Sequence, residues 1–134
     1  RVWHVKTPLD VQAMVEVSQH FIGTLDFASF ATKSNFNYKS TIRTITSLKI
    51  DQDMPVLSID ICANGFLYKM VRNIVRTLVK VGEGRYCKDD IIRIIKARNR
   101  QAAPGTAPAS GLYLERVFYS EEELTRDNQQ HCEP

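Results

Sequence analysis

The chain has 134 residues, of which 43% are hydrophobic and 25% charged, and its formal net charge is +3. This length suits one domain, and this hydrophobic fraction can bury a core, which excludes an intrinsically disordered chain. No apolar run approaches the roughly 20 residues that a membrane-spanning helix requires, so we expect no membrane partner.

The first third of the chain predicts a strand followed by a helix. RVWHVK, residues 1–6, alternates as a short strand does. Apolar residues recur at helical spacing over 11–22, after Asp10, a typical N-cap, and before Gly23, a typical helix stop. Residues 24–40 are polar and aromatic without a clean period, and we expect them to form a long ordered loop.

The rest of the chain predicts three more strands and two more helices. Residues 41–50 and 56–63 alternate, and the turn DQDMP between them suits an antiparallel pair. Residues 64–65 open a long helix, and residues 88–100 form another, with acids in its first turn and bases in its last. The last strand is 111–119. This order indicates an α+β fold, in which an antiparallel sheet carries helices packed on one face.

Charge is spread unevenly along the chain. Residues 66–100 contain ten basic and three acidic residues, whereas residues 115–134 contain two basic and six acidic ones. A basic middle segment favours a polyanionic partner such as nucleic acid, and a solvated helix face is the alternative. We expect the polar tail, residues 120–134, to fray.

The long helix carries apolar and basic residues on different sides. Its apolar side comprises Leu67, Met70, Val71, Ile74, Val75, Leu78 and Val81. Its polar side comprises Asn73 and four cations that we call the basic stripe, Lys69, Arg72, Arg76 and Lys80. Arg72 stands near the edge of the apolar side, where a cation is costly unless it meets a carboxylate or a phosphate. A surface arginine that reaches into solvent is the alternative.

Neither a metal site nor a self-contained catalytic set is visible. Cys62, Cys87 and Cys132 are odd in number and lack a C-x-x-C spacing. This argues against a zinc site and a disulfide framework, and it favours a cytoplasmic protein. The chain also lacks a Ser-His-Asp order and a phosphate-binding glycine loop.

Three segments together resemble the tRNA pseudouridine synthase A family. FIGTLDFASF is similar to its Gly-x-x-Asp-Phe-x-x-Phe segment, and ANGFLYKMVRNIV is similar to its Phe-x-x-x-Met-Val-Arg-Asn-Ile-Val helix. APASGLYLERVFY is similar to its Ala-Pro-x-x-Gly-Leu-Tyr-Leu strand. Their order and separation also agree, and the resemblance covers about residues 3–119.

The resemblance implies a half domain of RRM or ferredoxin-like type from an enzyme that needs no cofactor. Such enzymes convert uridines at positions 38, 39 and 40 of the tRNA anticodon stem-loop to pseudouridine. They act as homodimers, and their catalytic Asp lies upstream in an Arg-Thr-Asp-x-Gly-Val-His-like motif. None of the eight aspartates here has that context. Because the chain also begins with Arg1, we expect residues 1–119 to be the C-terminal half and to be inactive alone.

The resemblance also implies roles for individual residues. Arg72 falls on the family arginine that pairs with the catalytic Asp. Leu112 falls on the leucine that packs against the target uracil, with plain core packing as its alternative. The residues expected to bind substrate are Leu112, Asp26, Phe27, Lys69, Arg76 and Lys80.

Two positions depart from the family pattern. Leu25 stands where the family often has His, which argues against a polar contact to RNA there. Arg76 stands where the family often has Gly, and a large side chain does not permit the same close backbone approach. Either the packing differs or Arg76 faces outward, toward solvent or RNA.

Two other classes of protein share some of these features. A non-catalytic RNA-binding module of α+β fold would have the same charge pattern and the same aromatic residues in 24–40. A protein-interaction or dimerisation domain would use its apolar strand faces as an interface. Neither class requires Arg72 to face a carboxylate supplied from elsewhere.

Overall fold

The computed structural model of the protein describes residues 8–32, 38–53 and 56–105. The helices and strands are α1 (Val11–Ser18), β1 (Gly23–Asp26), β2 (Ile42–Asp53), β3 (Val56–Ala63), α2 (Met70–Gly82) and α3 (Lys88–Ala97). Short 3-10 helices cover Gln19–Phe21, Ala28–Phe30 and Arg100–Ala102. The predicted strands 1–6 and 111–119 and the tail lie outside the described residues. Within those residues, no helix has both the length and the apolarity to cross a membrane.

The described strands form an antiparallel sheet in the order β1–β2–β3. The predicted pairing of the second and third strands is confirmed, with a bulge between Ile45 and Ser47. Along β3, Leu57, Ile59 and Ile61 are half-buried and the residues between them are exposed, as the alternation predicted. An antiparallel sheet combined with helices confirms the α+β fold class.

The segment after the first helix differs from the prediction. Gly23 does not end a helix, because α1 stops at Ser18 and a 3-10 helix follows it. Gly23 instead begins β1 with a positive φ of 113°, which glycine adopts without strain. The predicted loop 24–40 is therefore wrong at its start, where residues 24–26 pair with β2 as part of β1. A strand of this length is too short to show a period, and only its partner defines it.

The start of the long helix also differs from the prediction. Residues 64–65 do not open it, since α2 begins at Met70. Asn64 instead extends the sheet, because its Oδ1 accepts the Thr44 N–H at 2.9 Å and its N–H donates to the Thr44 carbonyl at 3.1 Å. Lys69 adopts a left-handed conformation, with φ 59°, immediately before the helix. Residues 65–69 therefore separate the end of the sheet from the start of the helix.

The ends of β2 and α3 also differ from those that the sequence predicted. β2 continues to Asp53, through part of the predicted turn. α3 ends at Ala97 rather than at residue 100, because Arg98 adopts a left-handed conformation with φ 48°. A 3-10 helix then begins at Arg100.

The core lies where α1, α2 and the aromatic side chains around β1 meet. Phe21, Phe27 and Phe30 are fully buried, and the rings of Phe21 and Phe30 meet edge to face with centroids 5.3 Å apart. α1 crosses the end of α2 closely, since a Cβ on Gly82 would lie 2.7 Å from the Met14 sulfur. A larger residue at this position would therefore have to displace the fully buried Met14 side chain.

The described cysteines differ in exposure. Cys87 is an exposed free thiol. Cys62 is buried in β3, with 7% of its surface exposed. The expectation of no disulfide framework stays a prediction.

The start of α3 is stabilised by a capping box between Cys87 and Asp90. The Cys87 N–H donates to the Asp90 carboxylate at 2.9 Å. This backbone hydrogen bond is the main cause that lowers the pKa of Asp90, and the Cys87 side chain adds to it. A depressed folded-state pKa stabilises the protein above the unfolded value near 3.8, and this contribution is lost as the pH falls through the folded pKa.

We therefore expect Asp90→Asn to lower the melting temperature at neutral pH and to reduce its fall in acid. The measurement is thermal melting by circular dichroism across the acid range. Asp89→Asn is the matched control, because Asp89 lies in the same first turn but outside the capping box. Equal pH dependence in the two variants would contradict the role of the box.

Candidate functional site

The buried face of α2 includes most of the apolar side that the sequence predicted, together with Asn73, Thr77 and Val79. Met70, Ile74 and Leu78 are fully buried. Asn73 and Thr77 are fully buried as well. The prediction that Asn73 lies on the exposed polar side is therefore wrong, and two polar side chains belong to the packed face.

Arg72 lies in the first turn of α2 and is half-buried. The first turn of a helix carries a partial positive charge, which disfavours a cation there. No acidic residue lies in this turn to offset it. A carboxylate or a phosphate beside this side chain would offset that cost.

The other members of the basic stripe have different surroundings. Lys69 lies over the ring of Tyr68, with its Nζ 5.4 Å from the ring centroid. Arg76 is half-buried. The Lys80 ammonium lies 3.6 Å from a Glu83 carboxylate oxygen. Arg72, Arg76 and Lys80 follow one another at helical spacing along α2, and Lys69 immediately precedes the helix.

Asn73 joins three segments of the chain. Its Nδ2 donates to the Phe30 carbonyl at 2.6 Å and to the Thr32 hydroxyl at 3.1 Å. Its Oδ1 accepts from the Arg100 guanidinium at 3.1 Å. The Thr77 hydroxyl, one turn further along α2, donates to the Asn73 carbonyl at 2.9 Å. The start of α2 is thus held against the segments on either side of it.

Arg100 completes this group, which we call the Arg100 cluster and define as Asn73, Arg100 and the carbonyls of Ala103 and Pro104. One guanidinium nitrogen donates to the Pro104 carbonyl at 2.9 Å and to the Ala103 carbonyl at 3.4 Å. Burial lowers the pKa of Arg100, although arginine stays charged at neutral pH. The sequence analysis did not predict this cluster. The one feature of the sequence that could have indicated it is that Asn73 borders the apolar side of α2.

The two predicted site residues of the first motif serve the local structure. Asp26 Oδ1 accepts from the Ala28 N–H at 3.0 Å and from the Thr41 hydroxyl at 2.6 Å. Phe27 is fully buried in the core. Leu25, where the family often has His, packs against the same core. Substrate contact by Asp26 and Phe27 therefore stays a prediction, and Leu112 lies outside the described residues.

The chemistry of this region is that of an anion-binding surface. Lys69 and Arg72 lie at the positive end of α2, and cations in such a position attract carboxylates and phosphates. Within the described ranges, no His, Cys, Asp and Glu side chains gather in a group of three or more that would hold a metal ion.

Comparison with known proteins gives a consistent result. A family model described as tRNA pseudouridine synthase matches residues 17–120. The tRNA pseudouridine synthase A of Acetivibrio thermocellus is 42% identical over 119 residues, which are 89% of this chain and 48% of that protein. The tRNA pseudouridine synthase A 2 of Clostridium tetani and the tRNA pseudouridine synthase A of Rhodospirillum centenum are each 44% identical, with the same coverage. The chain thus spans about half the length of these relatives.

Proposed function

Because the chain belongs to the tRNA pseudouridine synthase family, we propose that it is the C-terminal half of an enzyme that isomerises uridine to pseudouridine in tRNA. The target uridines are those at positions 38, 39 and 40 of the anticodon stem-loop. The observation that carries this proposal is the family match over residues 17–120, together with coverage of 48% of relatives that bear this name. The enzyme is a cytoplasmic homodimer that works without a cofactor.

In this proposal Arg72 pairs with a catalytic Asp supplied by the N-terminal half. A guanidinium beside a carboxylate favours its ionised form and fixes its orientation, as a nucleophilic Asp requires. The half-buried position of Arg72 in the first turn of α2 supports this pairing. The target base must leave its stack to reach that carboxylate, and Leu112 packs against it.

The rest of the basic stripe contacts the tRNA backbone in this proposal. Lys69, Arg76 and Lys80 share one side of α2 with Arg72, so phosphates bound there lie beside the reacting base. Phosphate contacts position a nucleic acid without reading its sequence. Specificity for the anticodon stem-loop must then come from its shape or from other residues.

The first test compares this chain with the full-length protein that contains it, using unmodified tRNA and either tritium release or mass spectrometry. We expect pseudouridine only from the full-length protein, because the catalytic Asp lies upstream. Activity of this chain alone would place the nucleophile among its own eight aspartates and overturn the half-enzyme proposal. Absence of activity from both proteins would favour the non-catalytic alternative.

That alternative, an RNA-binding module, has its own supporting observation. Tyr68 and Tyr38 have 41% and 37% of their surface exposed. A cation lies over each ring, with Lys69 5.4 Å and Arg43 5.6 Å from the ring centroids. Exposed aromatic rings beside cations suit stacking with single-stranded RNA. This function predicts tRNA binding without turnover in the full-length protein as well.

A further inference from the structure

We propose that Arg100 is a positioning residue for the isomerisation, because it holds the helix turn that carries Arg72 through Asn73. The inference rests on the proposed function, in which Arg72 meets the catalytic carboxylate. The Arg100 guanidinium donates hydrogen bonds to groups of the protein itself. We assign it no contact with RNA.

The first step of the inference concerns the backbone of α2. Arg72 and Asn73 are consecutive, so a constraint on Asn73 also constrains the backbone from which Arg72 extends. The fully buried Asn73 amide bonds Phe30, Thr32 and Arg100, which belong to two different segments. Because a buried side chain with several bonded partners has one orientation, the first turn of α2 also has one orientation.

The second step concerns what an arginine does at position 100. One of its terminal nitrogens donates to Asn73 and the other to the Pro104 carbonyl, at 3.1 Å and 2.9 Å. The planar guanidinium fixes the angle between these bonds, whereas a lysine ammonium is a point charge on a flexible stem. Position 100 therefore sets the distance between α2 and the segment at Ala103 and Pro104.

The third step concerns the residues that this link connects. The segment at Ala103 and Pro104 continues in sequence toward Leu112, the other residue predicted to meet the target base. Arg100 thus ties the helix of one predicted site residue to the chain that leads to the other. A change at Arg100 is expected to affect the chemistry more than the binding of tRNA, because Arg76 and Lys80 lie further along α2 than the first turn, which Asn73 holds.

The expected effect follows from the sensitivity of catalysis to geometry. A displacement of about 1 Å in a catalytic group lowers turnover by as much as about 100-fold. We expect Arg100→Gln in the full-length enzyme to lower kcat about 10- to 100-fold and to change KM for tRNA less than about threefold. Arg93→Gln is the matched control, since it removes the same charge from α3, where Arg93 lies 3.4 Å from Asp90 and 61% exposed.

Two further variants separate positioning from a general loss of structure. Arg100→Lys keeps the charge and much of the side-chain length. We expect it to recover only part of kcat, because lysine lacks the planar guanidinium that donates to two partners at a fixed angle. Should Arg100→Gln fail to fold, as judged by thermal melting, Arg100→Lys carries the test alone. A wild-type kcat in either folded variant, or a loss confined to KM, would overturn the inference.

A double-mutant cycle tests whether Arg100 acts through Arg72. In an Arg72→Lys background with measurable activity, we expect Arg100→Gln to cause little additional loss, because the two residues act on one geometry. Full additivity would overturn the inference. If Arg72→Lys itself leaves kcat unchanged, both the proposed role of Arg72 and the positioning role of Arg100 are wrong. If Arg72→Lys lowers kcat and Arg100→Gln does not, only the positioning role fails.

Discussion

Arg72→Ala in the full-length enzyme is expected to lower pseudouridine formation at least about 100-fold, the loss typical of removing one preorganised charge partner from an active site. Arg72 is half-buried in a helix turn without an acidic residue, which suits a carboxylate from the other half of the enzyme. Folding should change little, since a cation at a helix N-terminus is disfavoured by the dipole. The expected signature is thus a loss of kcat in a protein with a nearly unchanged melting temperature.

The measurement is single-turnover pseudouridine formation with saturating tRNA, paired with thermal melting of each variant. Arg93→Ala provides the control, because it deletes an arginine of α3 that lies 61% exposed beside Asp90. We expect this control to keep its turnover. Normal turnover by Arg72→Ala would remove Arg72 from the chemistry and leave it as a surface or structural cation.

Neutralising the other three cations of the basic stripe is expected to weaken tRNA binding. Each phosphate that a protein neutralises adds about 0.7 to 0.9 to the slope of log affinity against log salt. The variant with Lys69, Arg76 and Lys80 each changed to Gln should therefore show a slope about 2 to 3 shallower. Its affinity should fall most at low salt, where counterion release contributes most.

The matched control removes the same charge from α3, by changing Lys88, Arg93 and Lys96 to Gln. These three side chains are exposed and lie outside the stripe. Filter binding or fluorescence anisotropy with unmodified tRNA over a salt series measures both slopes. Equal slopes in the stripe variant and the native protein would indicate that the stripe is a solvated helix face that does not bind tRNA phosphates. Equal losses in both variants would indicate general attraction rather than a specific surface.

Local sequence was sufficient for the elements whose pattern repeats several times. β3 was predicted with its observed bounds, and the middle of α2 with its buried Met70, Ile74 and Leu78. These two predictions are correct because strand alternation and helical spacing reflect which face of an element is buried, and both patterns extend over many residues. The family resemblance, drawn from three motifs, is likewise confirmed by the match over residues 17–120.

The site was predictable only in part. The basic stripe follows from helical spacing, and the role proposed for Arg72 follows from its motif. Asn73 was misplaced because its angular position borders both sides of the helix. Its burial depends on hydrogen bonds to Phe30 and Arg100, which are 43 and 27 residues away in sequence.

The sequence by itself therefore determined the family, the principal helices and strands, and the side of α2 that carries the cations. The tertiary structure alone decided that the four residues Gly23–Asp26 form a strand, since β2 supplies their hydrogen bonds. It alone also revealed the Arg100 cluster. The physical reason is the same in both cases: a hydrogen bond between distant segments leaves no period in the sequence, because it depends on how the chain packs.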